Sequence, residues 1–248
     1  MKFKKNNLLS LDKFIEDSLY NKKLGYYMKS NPFGGKGDFV TAPNVSILFS
    51  EMIAIWVISF WENLNCPKQF NLIELGAGNG EMMSIMTNTF QRFPQFKNSC
   101  NIKILEKSKL LKKIQRKNIK YKEIKWLNNL DELNDLPCIF IANEFFDALP
   151  FKQFIKKNKE WHERYVKFNN QMKSEYVDIP FDIKKLEKKI KFKISSTQNF
   201  IEYSHLTSKY LKVITSKIKI NNGGILIIDY GYIDKKMKNT IQAVSKHR

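Results

Sequence analysis

Residues 71–80 read Asn71-Leu72-Ile73-Glu74-Leu75-Gly76-Ala77-Gly78-Asn79-Gly80. A short apolar run ends in glycines at three alternate positions. Beyond it Met82, Ile85, Met86, Phe90 and Phe93 recur at helical spacing, and Pro94 closes the pattern. A strand that turns through glycines into an amphipathic helix opens an α/β layer. Glycine lets the backbone bend sharply and lets a ligand approach with no side chain in the way. A dinucleotide site would carry G-x-G-x-x-G at this turn. Here the spacing is G-x-G-x-G, with Glu74 two residues before Gly76. That variant suits a nucleoside with an amino-acid tail and no pyrophosphate. The Glu74 carboxylate can pair with an ammonium group, and the helix N-terminus can take a carboxylate. The same three glycines, Gly76, Gly78 and Gly80, also suit a plain tight turn.

Outward from this stretch the pattern alternates. Strands are predicted at 101–105, 123–126, 138–142 and 225–229, and helices at 110–117 and through most of 199–220. Strand and helix in alternation predict an α/β fold, a Rossmann-like parallel sheet with helices on both faces. Residues 151–168 break the rhythm. Two short runs flank Lys157-Asn158-Lys159 and read as an inserted β-hairpin. Glu106 ends the second strand of the series. Ligands of open α/β sheets lie beyond the carboxyl ends of the strands. An acid there reaches two neighbouring ribose hydroxyls with its two oxygens, or else it is a solvated acid at a helix start. Together the glycine motif and Glu106 favour S-adenosylmethionine as cofactor over a nicotinamide.

Toward the N-terminus, Ser10 followed by Leu11, Phe14, Ile15 and Leu19 predicts a capped amphipathic helix. A turn-rich loop follows over 25–43. From Asn44 a helix carries Phe49, Met52, Ile53, Trp56, Val57, Phe60, Trp61 and Leu64. It is apolar nearly all round, which predicts burial on more than one side. The chain accordingly divides into a helical and loop extension over 1–66 and a Rossmann-like domain over 67–248, with the hairpin at 151–168.

Composition bounds the rest. The 248 residues are 43% hydrophobic and 27% charged, the balance of an ordered globular chain. The apolar run 52–61 is about half of what a membrane span needs. The basic start has too short an apolar patch behind it for a secretory signal. Cys66, Cys100 and Cys138 show no C-x-x-C, so neither a disulfide framework nor a cysteine zinc site is expected, and a reducing cytoplasm is. The net charge of +19 comes from 39 Lys and only 4 Arg, beside 28 Ile and 24 Asn. This resembles drift toward A/T-rich codons. The lysines are spread along the chain, so the charge reads as a solvated surface and not as a nucleic-acid face.

Further blocks carry a family resemblance. Gly37-Asp38-Phe39-Val40-Thr41-Ala42-Pro43 with Ser46, Phe49 and Glu51 is one. Leu19-Tyr20 with Gly25-Tyr26-Tyr27 is another. Glu106, Ser108, Leu111 and Gln115 form a third, and Asn143-Glu144-Phe145-Phe146-Asp147-Ala148-Leu149-Pro150 is the most distinctive. Trp161, Glu163, Arg164 and Val166 fit the hairpin, Asp229-Tyr230-Gly231 ends the fifth strand, and Thr240-Ile241-Gln242-Ala243 with His247 follows. In these blocks the chain resembles the MidA family of class I S-adenosylmethionine-dependent methyltransferases. The mitochondrial members methylate an arginine of a respiratory complex I subunit and help assemble that complex. The resemblance implies a protein substrate of that kind. Ser50 stands where the family usually has Gly. Family members also continue past the position of Arg248, which leads us to expect that the last strands of the sheet are missing and that the fifth strand has an open edge.

Methyl transfer from a sulfonium needs positioning and a dry site. An acceptor guanidinium must be held and must lose a proton, and carboxylates suit both tasks. Glu144 and Asp147 follow the fourth strand and are the expected acceptor-orienting, catalytic residues. Asn143 and Thr41 are placed at the cofactor with Glu74, Gly76, Gly78, Gly80 and Glu106. Capping or bracing of the loop is the plainer role for Asn143, Glu144 and Asp147. Asp38 could close over the site with Thr41, or stabilise a turn. Trp126 could stack near the adenine or belong to the core. His162, His205 and His247 are scattered, so no metal site is expected. Two other readings stand beside arginine methylation: a non-catalytic assembly protein, and an RNA methyltransferase suggested by the charge alone.

Overall fold

The computed structural model describes residues 8–34, 37–39, 42–169 and 173–242. The chain forms two compact units. One holds Tyr26–Ala148 and Lys209–Tyr230. The other holds residues 8–25, Leu149–Ser208 and residues 231–242. These units divide the chain elsewhere than at residue 66. The apolar helix before the glycine motif goes with that motif, and the first residues go with the hairpin.

The first unit is a parallel sheet of β2 (Phe70–Leu75), β3 (Cys100–Leu105), β4 (Lys125–Leu127), β5 (Cys138–Asn143) and β10 (Gly223–Ile228), in the order β10-β5-β2-β3-β4. The chain runs outward from β2 to β4 and then crosses back to place β5 beside β2. The order therefore reverses between β2 and β5, which is where an open sheet opens a crevice. β2, β3 and β5 are mostly apolar because both of their faces are covered, whereas β4 and β10 at the sheet edges keep Lys125 and Ile227 exposed. On one face Leu72, Ile104 and Ile141 meet Val57 and Ile58 of α4 (Ile47–Asn63), Met83 and Met86 of α5 (Glu81–Phe90) and Phe96 of α6 (Pro94–Ser99). On the other, Ile73, Leu105, Phe140 and Ala142 meet Ile214 of α9 (His205–Asn221). Helix α7 (Lys109–Asn118) starts on a Ser108 side chain that accepts from the Leu111 N–H at 3.2 Å.

The expectation that the apolar helix is buried on more than one side is corrected. Ser50, Ala54, Val57, Ile58 and Trp61 of α4 are buried, but Ile47, Leu48, Met52 and Ile55 stay 43–64% exposed. A helix lying on one face of a sheet is covered only along the stripe that meets it. Apolar periodicity shows that a face could be covered, not that it is.

The second unit is antiparallel. β6 (Lys152–Lys157) and β7 (Glu160–Phe168) form the expected hairpin, turning at Asn158 and Lys159, both with positive φ. The hairpin is the centre of a five-stranded sheet. β1 (Leu8–Ser10) and β8 (Ser174–Pro180) pair with β7, and β9 (Phe200–Tyr203) pairs with β6. Leu11 of α1 (Leu11–Tyr20) packs with Val166 and Phe168, and Leu186 of α8 (Ile183–Ile190) packs with Phe154 and Ile201. Ser10 starts α1 as expected, but its hydroxyl donates to Asp12 Oδ1 and caps no backbone N–H. Helix is expected from 199, but the first residues of that stretch are β9, and α9 starts only at His205.

Candidate active site

The strand register assembles the site. Leu75 pairs with Leu105, so the next residues, Gly76 and Glu106, leave neighbouring strands together. Glu74 pairs with Ile141, which sets Asn143 beside the glycine turn on the other side. All three glycines have positive φ: 67° at Gly76, 52° at Gly78 and 85° at Gly80. At Gly78 this conformation is one that L side chains rarely adopt, and a Cβ there would also meet Phe33 Cδ2 at 3.4 Å.

Gln115 ties the turn to the acid at the end of β3. Its amide donates to the Gly78 carbonyl and to Glu106 Oε2, each at 3.0 Å. Its Oε1 accepts from the Trp126 indole N–H at 2.8 Å. Glu106 Oε1 accepts from the Ser108 N–H at 2.8 Å. Burial pushes the Glu106 carboxyl up, and the hydrogen bonds from Ser108 and Gln115 oppose that push. Trp126 also carries the Arg116 guanidinium over its ring, 4.8 Å from the centroid. It is therefore a strut of the network, held through Gln115.

Glu74 is 3% exposed, and its Oε2 has no hydrogen-bond partner. Burial, with Glu106 as a second and smaller cause, raises its carboxyl to about 8. Asn143 Oδ1 is likewise buried and without a partner. Buried polar atoms are normally satisfied. Two unpaired acceptors beside a bare glycine turn fit a ligand that brings its own donors.

A second group of acids lies at the ends of β5 and β10. Asp229 Oδ2 accepts from the N–H groups of Phe146 at 3.1 Å and Asp147 at 3.2 Å. The Glu144 N–H donates to the Ile228 carbonyl at 2.8 Å, and Glu144 has a φ of 48°. Burial and then the Asp229 charge raise Asp147 to about 6. Burial, then Asp147 and Asp229, push Glu144 up as well. Like charges gathered in a half-buried place favour binding a cation.

Of the site residues expected from the sequence, Glu74, Gly76, Gly78, Gly80, Glu106 and Asn143 come together at one end of the sheet, with Glu144 and Asp147 next along it. Thr41 lies outside the described residues, as does His247. Asp38 accepts a hydrogen bond from the Tyr26 hydroxyl. Gln115, Asp229 and Tyr27 are the residues that sequence reasoning left without a role. All three sit in the family blocks, but only the fold shows what they bond. Tyr27 is marked by its surroundings: burial and then Asp147, Glu144 and Glu106 push its phenol up.

A family model for S-adenosyl-L-methionine-dependent methyltransferases matches residues 52–248. The chain is 26% identical over 259 residues to the mitochondrial protein arginine methyltransferase NDUFAF7 of Xenopus laevis, covering 95% of this chain and 59% of that protein. It is 26% identical to the human NDUFAF7, covering all of this chain and 61% of the relative. The chain thus spans about three-fifths of the length of the curated relatives it matches. A COG1565 superfamily protein of Burkholderia thailandensis, solved with bound S-adenosyl-homocysteine, matches 85% of this chain and 55% of its own at a TM-score of 0.71 and 20% identity. A native structure from the same organism and superfamily has a TM-score of 0.70 and 21% identity. At that identity the likeness is one of fold, and it bears out the Rossmann-like α/β reading. The cytoplasmic location is corrected, since these relatives are mitochondrial proteins. Unpaired cysteines do not single out one compartment. On the match over most of its length, the chain belongs to the family of S-adenosyl-L-methionine-dependent methyltransferases.

Proposed function

We propose that the crevice between the glycine turn and Glu106 binds S-adenosylmethionine and that the chain methylates a protein arginine. The observation that carries the reading is Glu74: a buried carboxyl with an unpaired oxygen, two residues before the first glycine of the turn, in a place where a cationic donor would favour its ionisation. When bound, the cofactor supplies an electrophilic methyl group on a sulfonium. Glu74 would accept from an ammonium, Glu106 from ribose hydroxyls, and Asn143 Oδ1 from a remaining donor. Glu144 and Asp147 would hold the acceptor guanidinium by charged hydrogen bonds. Asp147, raised to about 6, is ionised at neutral pH and can take the proton the guanidinium loses. The named relatives support arginine as the acceptor. The family resemblance extends this to a respiratory complex I subunit as the protein substrate.

Titration calorimetry with S-adenosylhomocysteine tests the site. The wild-type chain is expected to bind, and Glu106→Ala to weaken binding by about 1–3 kcal/mol for lost charged hydrogen bonds. A wild-type chain with no measurable affinity would overturn the reading. Binding without methyl transfer to arginine peptides would instead favour a non-catalytic assembly protein.

A further inference from the structure

Two sequence blocks near the N-terminus, Gly25-Tyr26-Tyr27 and Gly37-Asp38-Phe39, have no part in the reading above. In the structure their aromatic and acidic residues are held against one another. The Tyr26 hydroxyl donates to Asp38 Oδ2. The Phe39 N–H donates to the Pro32 carbonyl at 2.9 Å, and the Gly34 N–H returns a bond to the Phe39 carbonyl at 3.0 Å. Gly37 allows this close approach, because a Cβ there would lie 2.1 Å from the Pro32 oxygen. The Tyr26 ring meets Phe39 edge-on, with centroids 6.1 Å apart. Tyr27 stacks on Phe33 at 6.1 Å and 17° between planes.

These residues lie at the carboxyl end of the parallel sheet. Phe33 is the side chain set against Gly78, on the side where a Cβ would project. The short helix α2 (Tyr26–Lys29) packs on α7, the helix that carries Gln115. The Tyr27 phenol feels the acids at the ends of both β3 and β5. These residues therefore reach from the glycine turn to both groups of carboxylates.

We propose that residues 26–34 and 37–39 cover the nucleoside site, with Phe33 as the ring that closes on the ligand at Gly78 and the Tyr26–Asp38 pair as the clasp that keeps the cover in shape. The inference rests on the glycine turn being the cofactor site. An apolar ring at this position excludes water from one side of a bound ligand, while Tyr27 extends the wall toward the acceptor acids. The clasp holds the cover in shape between its openings, and a bound ligand adds contacts that make those openings rarer.

Three measurements with S-adenosylhomocysteine as probe test this. By calorimetry, Phe33→Ala is expected to bind at least about tenfold more weakly, and Tyr26→Phe several-fold more weakly, with melting temperatures near that of the wild type. Saturating ligand is expected to slow tryptic cleavage after the exposed Lys29 of the unmodified protein about threefold or more. Phe33→Ala binding within twofold of wild type, or more tightly, overturns the cover. So does cleavage at Lys29 that is indifferent to ligand, a readout that stands even if a variant fails to fold. A wild-type chain that binds no probe ends the reading of the glycine turn itself, and that outcome is distinct from one in which wild type and Phe33→Ala bind alike.

Discussion

Gln115 and Glu106 are joined by a 3.0 Å hydrogen bond whose donor amide also holds the Gly78 carbonyl at 3.0 Å. Gln115 is fully buried. One neutral side chain thus sets the distance between the glycine turn and the acid at the end of β3. Replacing it by Leu leaves a Glu106 oxygen, the Gly78 carbonyl and the Trp126 indole N–H without their partner. We expect Gln115→Leu to lose about 1–3 kcal/mol of stability by denaturant unfolding and at least about tenfold in S-adenosylhomocysteine affinity. Full affinity in a folded Gln115→Leu protein would remove Gln115 from the site.

Gly78→Val should abolish cofactor binding. The φ of 52° is one that a β-branched residue does not hold, and its Cβ would stand in contact with Phe33, which leaves its two methyl groups no room on that side. The structure gives this expectation a second cause beside obstruction of the ligand. Calorimetry decides it, and wild-type affinity in the variant refutes the placement of the turn.

Glu74 links the site to stability. Its carboxyl is raised from 4.5 to about 8. Between those values the unfolded chain releases a proton that the folded chain keeps. Stability therefore falls as pH rises through that window, at most by about 1.4 kcal/mol per pH unit. Glu74→Gln should flatten this slope and be the more stable protein at pH 8, while binding S-adenosylhomocysteine more weakly. Denaturant midpoints from pH 5 to 8 check the first part. Parallel slopes in the two proteins would show that Glu74 is not held protonated.

Asp147→Asn should spare cofactor affinity and lower turnover on an arginine peptide. In the wild type the rate should rise with pH through about 6 as Asp147 ionises. Equal loss of affinity and turnover would move Asp147 out of the acceptor role.

Asp229→Asn should shift that rising limb to lower pH, because the Asp229 charge is what raises Asp147 after burial itself. Asn keeps an oxygen for the Phe146 and Asp147 N–H groups, so the loop should stay in place. A limb unmoved in the variant would mean that another group titrates.

Much of this was legible along the chain. Strands 70–75, 100–105 and 138–143 lie within a residue or two of their predicted bounds, because both of their faces are largely buried and apolar residues dominate them. β8 and β9 went unread. Ser174–Pro180 is largely exposed, so it carries no strong alternation, and Phe200–Tyr203 runs straight into a helical pattern. The exposed side of α4 was read as buried because its composition is apolar on every side.

The local chemistry was written in the sequence: glycines at 76, 78 and 80, acids at 74, 106, 144 and 147, and the strand-then-helix rhythm that delivers them to one end of a sheet. Such features depend on neighbours a few residues apart, which periodicity and spacing record. Only the folded chain decided that Gln115 holds the turn to Glu106, that Asp229 braces the loop before Asp147, and that Phe33 comes to rest on Gly78. Those contacts join residues 9 to 82 positions apart. Sheet register and packing set them, and neither is written in any single stretch of the chain.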